Sequence, residues 1–175
     1  MKYRYRPAVI IAVTAALISG SGCKEADYNS EKWIRDQAVK TAEKYARSKF
    51  RDPKMDVATN GSIFYSQDNT RCMIDPKYIV TGRIDSDTIK DAMVTLFTFT
   101  GESLPVKDHL VLLNTTKDMQ LVKEYTGEMR IIAINNGEIL IETSHMAYDS
   151  PNGNCELCKV VRKYRFESGD TVEIK

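Results

Sequence analysis

The sequence is poor in the residues and motifs that most catalytic sites need. It has two histidines, His109 and His145, among 175 residues. It lacks the Gly-x-Ser-x-Gly turn that positions the nucleophile of many hydrolases, and it lacks a glycine-rich phosphate loop. Asp85, Asp87 and Asp91 lie close together, but without the glycine and the terminal glutamate of an EF-hand they predict a solvent-exposed turn. We therefore expect no enzymatic activity and no cofactor.

An excess of charge of either sign is also lacking. The chain has 25 lysines and arginines against 24 aspartates and glutamates, and no basic block or basic helix face is visible. Proteins that bind nucleic acid usually carry such a basic surface, so we expect no nucleic-acid partner. No motif indicates a small-molecule substrate either. A second long apolar run is absent, so we expect any membrane attachment to come from the N-terminus.

The first 23 residues have the three parts of a bacterial export signal. Three basic residues stand within the first six positions, an apolar run follows over residues 8–18, and small residues then lead to Cys23. The apolar run is too short to be a typical membrane-spanning helix. We therefore expect residues 1–22 to be a signal peptide.

The small residues before Cys23 resemble a lipobox, the site at which the cysteine of bacterial envelope lipoproteins is lipidated. Gly20 stands where a lipobox usually has leucine, and Gly20 and Gly22 would also suit ordinary signal peptidase. The resemblance implies a lipid anchor on Cys23 and a tether over residues 23–30. Because Lys24 follows the cysteine instead of aspartate, it also implies the outer membrane, with the protein facing the periplasm.

One helix is predicted at the start of the domain, which we expect to span residues 31–175. Ser30 is a suitable N-cap, and Asp52-Pro53 ends the helical pattern because proline cannot continue it. Between them, apolar residues recur at helical spacing: Trp33, Ile34, Ala38, Ala42, Tyr45, Ala46 and Phe50. The pattern predicts one amphipathic helix of about five turns that packs on a flat surface.

Beyond Pro53 the pattern changes to that of β-strands, with many β-branched and aromatic residues. The predicted strands lie at residues 62–65, 78–84, 92–99, 110–113, 129–134, 138–142 and 159–166. Both faces of residues 92–99 are largely apolar, which favours a central strand. Asn135-Asn136-Gly137 predicts a tight hairpin turn. The expected fold class is α+β, with one N-terminal amphipathic helix packed on an antiparallel β-sheet.

Two further segments carry a family resemblance. Residues 45–53 end in Arg-Asp-Pro, and residues 80–84 read Val-Thr-Gly-Arg-Ile. They are similar to the helix ending in Lys-Asp-Pro and the strand with Val-x-Gly-x-Val of small exported proteins of bacteria, phages and mobile elements. The resemblance implies an exported protein, and it favours a role in conjugation, entry exclusion or secretion with an envelope protein as the partner.

The cysteines beyond Cys23 leave several types of chemistry open. Cys155 and Cys158 form a Cys-x-x-Cys motif that suits a structural disulfide, a redox pair, or a metal site completed by Cys72. A thioredoxin-like motif opens a helix, whereas this one leads into a predicted strand. We therefore expect a structural Cys155–Cys158 disulfide and a Cys72 that stays reduced and at least partly buried. A long bridge from Cys72 to Cys155 or Cys158 is the competing pairing. A thiol-active or metal-binding envelope protein is the alternative to a non-enzymatic lipoprotein, and both histidines are expected on the surface.

The anchor can be tested with Cys23→Ser. If Cys23 is lipidated, the substitution should move the protein from the membrane fraction to the soluble periplasm, because the acyl chains hold the chain at the bilayer. Mass spectrometry of the mature N-terminus should find acyl chains on Cys23 in the unchanged protein. An unmodified Cys23, or cleavage at another bond, would contradict the lipoprotein prediction.

Overall fold

The structure, a computed structural model, describes residues 27–144 and 159–174. Within these ranges the chain forms one helix, α1 (Glu31–Ser48), and ten strands. The strands are β1 (Lys54–Val57), β2 (Ile63–Gln67), β3 (Thr70–Gly82), β4 (Asp91–Thr100), β5 (Val106–Asn114), β6 (Met119–Thr126), β7 (Met129–Asn135), β8 (Glu138–Ser144), β9 (Lys159–Glu167) and β10 (Asp170–Ile174).

The strands are arranged in two antiparallel sheets. The first sheet holds β1 to β6 in chain order, and the second has the order β10-β9-β8-β7. The predicted α+β class is confirmed, since one helix packs on antiparallel sheet. The prediction of a single sheet is wrong, because the chain leaves the first sheet after Thr126 and builds a second one.

Helix α1 covers one face of the first sheet. The Ser30 side chain caps it by accepting a hydrogen bond from the backbone N–H of Trp33 at 3.3 Å, as predicted. Its buried positions recur every four residues: Ile34, Ala38, Ala42 and Ala46. Three of these are alanines, whose small side chains let the helix backbone approach the sheet closely. The helix ends at Ser48, shortly before Asp52-Pro53.

Strand β4 lies between helix α1 on one face and the second sheet on the other. Its residues Ala92, Val94 and Leu96 belong to the core cluster beneath α1. Met93, which points to the opposite face, belongs to a second cluster with residues of β7 and β8 such as Ile139. The prediction of a central strand from its two apolar faces is therefore confirmed.

Two corners tie the sheets together. At one corner Gly82 of β3 lies against Ile134 of β7, and the backbone N–H of Gly137 donates to the Arg83 carbonyl at 2.9 Å. At the other corner the Tyr125 hydroxyl of β6 donates to a carboxylate oxygen at the start of β10, 2.6 Å away. The two sheets are therefore in contact at both corners.

The tight turn predicted between β7 and β8 is confirmed. Asn135 pairs with Glu138, and the two residues between them, Asn136 and Gly137, have φ angles of 50° and 83°. Positive values at both positions are typical of a type I′ hairpin.

Asp91 is buried, so the prediction of a solvent-exposed turn is wrong at this residue. Its carboxylate accepts hydrogen bonds from the backbone N–H groups of Ile84 at 2.8 Å and Asn114 at 2.9 Å. Burial disfavours the charged form and raises the pKa of Asp91 to about 6, although the two hydrogen bonds act in the opposite direction. The side chain thus joins the loop after β3 to the end of β5.

Gly82→Ala tests the contact between the sheets. A Cβ atom at this position would lie 2.3 Å from the Ile134 carbonyl oxygen, so the backbone of β7 would have to move. We expect the free energy of unfolding to fall by about 1–3 kcal/mol in a urea titration, as in other overpacked sites. Hydrogen exchange should show lost amide protection in β7 and β8.

Gly101→Ala is the matched control for this test. It strains a backbone with φ of 61°, but a Cβ there would meet nothing within 4 Å. Equal loss of β7 and β8 protection in both variants would show that the Gly82 contact does not hold the second sheet.

Candidate functional site

A cleft of about 610 Å³ lies between the two sheets. Its origin is an irregularity in β3, where Ile74 pairs with Leu96 but the next pair is Ile79 with Val94. Four residues of β3, 75–78, therefore stand opposite Thr95 alone. This bulge bends β3 away from the regular ladder and leaves room beside β7.

Residues from both sheets line the cleft. They are Lys77, Tyr78 and Val80 of β3, Thr95 and Phe97 of β4, Lys107 of β5, and Met129, Arg130, Ile131 and Ile132 of β7. The rings of Tyr78 and Phe97 have centroids 4.7 Å apart and planes inclined at 59°. Phe97 is 8 % exposed and Tyr78 is half-buried, and together they form an apolar wall of the cleft. The volume is in the usual range of ligand sites.

Three cations surround this apolar wall. Lys77 pairs with Asp75 at 3.1 Å and stands 4.8 Å from the centre of the Tyr78 ring, and Lys107 pairs with Glu128. Arg130 is exposed and makes no hydrogen bond or ion pair within residues 27–144 and 159–174. Among the described residues, the lining of the cleft contains these three cations and no carboxylate, so its surface is positively charged. Glu142 of β8 stands opposite Arg130 without forming an ion pair with it.

His109 lies beneath the cleft and is fully buried, so the prediction of a surface histidine is wrong at this position. Its Nδ1 is 3.0 Å from the Thr95 hydroxyl, and its Nε2 is 3.1 Å from the Gly127 carbonyl oxygen. A carbonyl can only accept, so Nε2 carries the proton, and Nδ1 of the neutral ring accepts from Thr95. Burial lowers the pKa of His109 by disfavouring the charged ring. The ring therefore links a residue of the cleft to the turn between β6 and β7.

Most of the predicted cysteine sites cannot be located in the described part of the chain. Cys23, Cys155 and Cys158 lie outside the described residues, as does His145. Cys72 is a free thiol and fully buried, which confirms its predicted burial. Burial raises the pKa of the Cys72 thiol, so little nucleophilic thiolate forms there. The described part of the chain contains no group of three or more potential metal ligands.

The cleft itself was not predicted. Its lining comes from strands whose apolar residues indicate a buried face but not which sheet covers it. One signal was available: Pro76 lies within β3, and proline inside a strand is typical of a bulge or an edge. That signal marks the irregularity that opens the cleft, but it does not identify the strand on the other side.

Compared with protein-family models, with curated proteins and with solved structures, the chain shows no significant match. Within residues 27–144 and 159–174, no helix is long and apolar enough to cross a membrane.

The buried state of His109 predicts a pH dependence of stability. Because its pKa is lower in the folded than in the unfolded chain, the unfolded chain binds the proton more readily. The contribution of His109 to the free energy of unfolding should therefore fall as the pH drops below 6.5, the ordinary pKa of a histidine. The variant His109→Gln should lack this pH-dependent contribution. The difference in free energy of unfolding between the unchanged protein and the variant should therefore be smaller at pH 5 than at pH 7.5.

Urea titrations at both pH values measure this difference. Comparing the variant with the unchanged protein is necessary because Asp91 acts in the opposite direction: its raised pKa stabilises the fold as the pH falls below about 6. A stability difference that is the same at both pH values would show that His109 does not titrate in this range.

Proposed function

We propose that this protein is a non-enzymatic envelope lipoprotein, anchored through Cys23, whose domain binds another envelope component in the cleft between its two sheets. The observation that carries this proposal is the cleft, which combines an apolar wall of Tyr78 and Phe97 with three cations. Apolar surface with a few well-placed polar groups is typical of binding sites.

The residues around the cleft support binding more than catalysis. Both ring nitrogens of His109 already have partners, and the ring is buried beneath Thr95. Its lowered pKa keeps it neutral near pH 7. A general base needs a free nitrogen within reach of a substrate, and this ring offers none. The lysines beside the cleft are held by carboxylates, which favours a charged, binding role over a nucleophilic one.

The position of the tether also suits a partner outside the membrane. Asn29 accepts a hydrogen bond from the Lys90 backbone at 2.9 Å, and the Asn114 side chain donates to the Tyr28 carbonyl at 2.8 Å. The start of the domain is thereby fixed at the end of the first sheet where β4 begins. Cys23 stands four residues before Asp27, so the anchor would lie within about 14 Å of the domain.

The cleft lies towards the opposite end of the sheet. Phe97 is six residues along β4 from Asp91, a distance of about 20 Å in an extended strand. A partner in the periplasm would therefore reach the cleft without contact with the bilayer. The resemblance to exported proteins of mobile elements favours a partner in conjugation, entry exclusion or secretion.

Photo-crosslinking in intact cells tests this proposal. A benzoylphenylalanine residue in place of Ile132, which is 40 % exposed beside the cleft, should form an adduct with one discrete envelope protein. Val122 on β6 is the matched control, since it is also apolar, 40 % exposed and on an edge strand. Adducts of equal yield at both positions, or at neither, would contradict binding in the cleft.

A further inference from the structure

We propose that the cleft takes an extended, acidic segment of the partner protein, which adds as a strand to the free edge of β7. This inference rests on the proposed function, in which the domain binds another envelope protein. It adds the way in which the partner is recognised: backbone hydrogen bonds to β7, and carboxylates opposite Lys77, Lys107 and Arg130.

The cleft runs along the edge of β7. Four consecutive residues, 129–132, line it. Side chains of a strand alternate between its two faces, so a cavity over one face would meet every second residue. Contact with all four is consistent with a cleft along the side of the strand, where the backbone is, and the bulge at Ile132 also interrupts the alternation there. Among the described residues β7 is also the last strand of the second sheet, and it pairs with β8 alone.

This edge lacks the charges that protect the other three. Edge strands usually avoid pairing with other chains through charged residues, short length or proline. β1 is four residues long and includes Lys54 and Asp56, β6 carries Lys123 and Glu124, and β10 carries Asp170 and Glu173.

In β7, by contrast, residues 131–134 are all apolar, and Arg130 is the one charge in the strand. A bulge at Ile132, where the pairing with β8 shifts, is its remaining protection.

The open part of the edge has a defined length. Gly82 closes it at Ile134, where the two backbones touch. Before that point the cleft lies between Lys77, Tyr78 and Val80 of β3 and residues 129–132 of β7. Within residues 129–132, Arg130 and Ile132 are exposed and Met129 is half-buried, whereas Ile131 is buried. The stretch is about 13 Å long, which matches three or four residues of an added strand.

The charge and shape of the cleft specify the chemistry of the added strand. Its side chains that point inward would meet the apolar wall of Tyr78 and Phe97. Those near the rim would meet an excess of positive charge, because Arg130 has no carboxylate partner among the described residues. Alternating apolar and acidic residues satisfy both conditions. A lipid tail would contact the apolar wall, but it would leave the N–H and C=O groups of β7 unpaired. A polypeptide therefore fits the cleft better.

Peptide binding to the full chain, purified in detergent, tests the inference. The probe is a fluorescent eight-residue peptide of alternating valine and aspartate, followed by anisotropy. We expect saturable binding that Arg130→Glu weakens about tenfold through charge repulsion. Val122→Glu places the same charge on the edge of β6 and should leave binding unchanged.

Peptide variants provide a test that does not depend on the folding of a protein variant. In one variant, the backbone nitrogens on the peptide edge that would face β7 are methylated. Each hydrogen bond lost in this way should weaken binding about tenfold or more. Methylation of the other nitrogens should have little effect. A lysine–valine peptide should not bind.

Equal binding of all peptides, or no binding of the aspartate–valine peptide, would overturn strand addition. If benzoylphenylalanine at position 132 still crosslinked to a discrete protein in cells, the proposed function would stand and only the mode of recognition would be wrong. A lipid adduct at Ile132 would overturn both.

Discussion

The contact between Gly82 and Ile134 is the constraint on which the arrangement of the two sheets depends. With no side chain at position 82, the backbone of β3 touches the backbone of β7, and no other residue would allow that distance. The sheets meet at this corner, and the cleft opens beside the bulge over residues 75–78 of β3. The cleft is the space that remains between the sheets beyond this contact.

His109 fixes the opposite end of the same cleft. The chain crosses from the first sheet to the second at Gly127, and the buried imidazole holds that carbonyl at 3.1 Å. Its other nitrogen is held by Thr95, which itself lines the cleft. Both ends of the cleft are therefore tied to the fold, so the proposed binding would cost less ordering entropy than it would in a mobile site.

The features predicted well from the sequence depend on neighbours in the chain. The Ser30 cap and the Asn136-Gly137 turn are local, and the two apolar faces of β4 belong to one strand. The second sheet could not be predicted in this way, because alternation shows that a face is buried but not what covers it.

Other differences between prediction and structure have the same physical origin. His109 has charged neighbours in the sequence, but its ring points between the sheets, where Gly127 satisfies it. Strands β1, β6 and β10 have no counterpart among the predicted strands. Before β10, Ser168-Gly169 forms a tight turn with φ angles of 52° and 86°. Here the local signal existed, and reading Ser-Gly as a hairpin turn would have found the strand.

The edge of β7 that no described strand pairs with could promote aggregation as well as the proposed binding. An apolar edge strand can pair with any extended chain, which favours aggregation. The fold limits that risk in two ways: Gly82 covers the end of the edge at Ile134, and the bulge at Ile132 interrupts the regular ladder. What remains open is short and stands beside Lys77, Lys107 and Arg130. A second copy of β7 would bring its Arg130 towards these cations, so the charges that we propose select an acidic strand would disfavour pairing of the protein with itself.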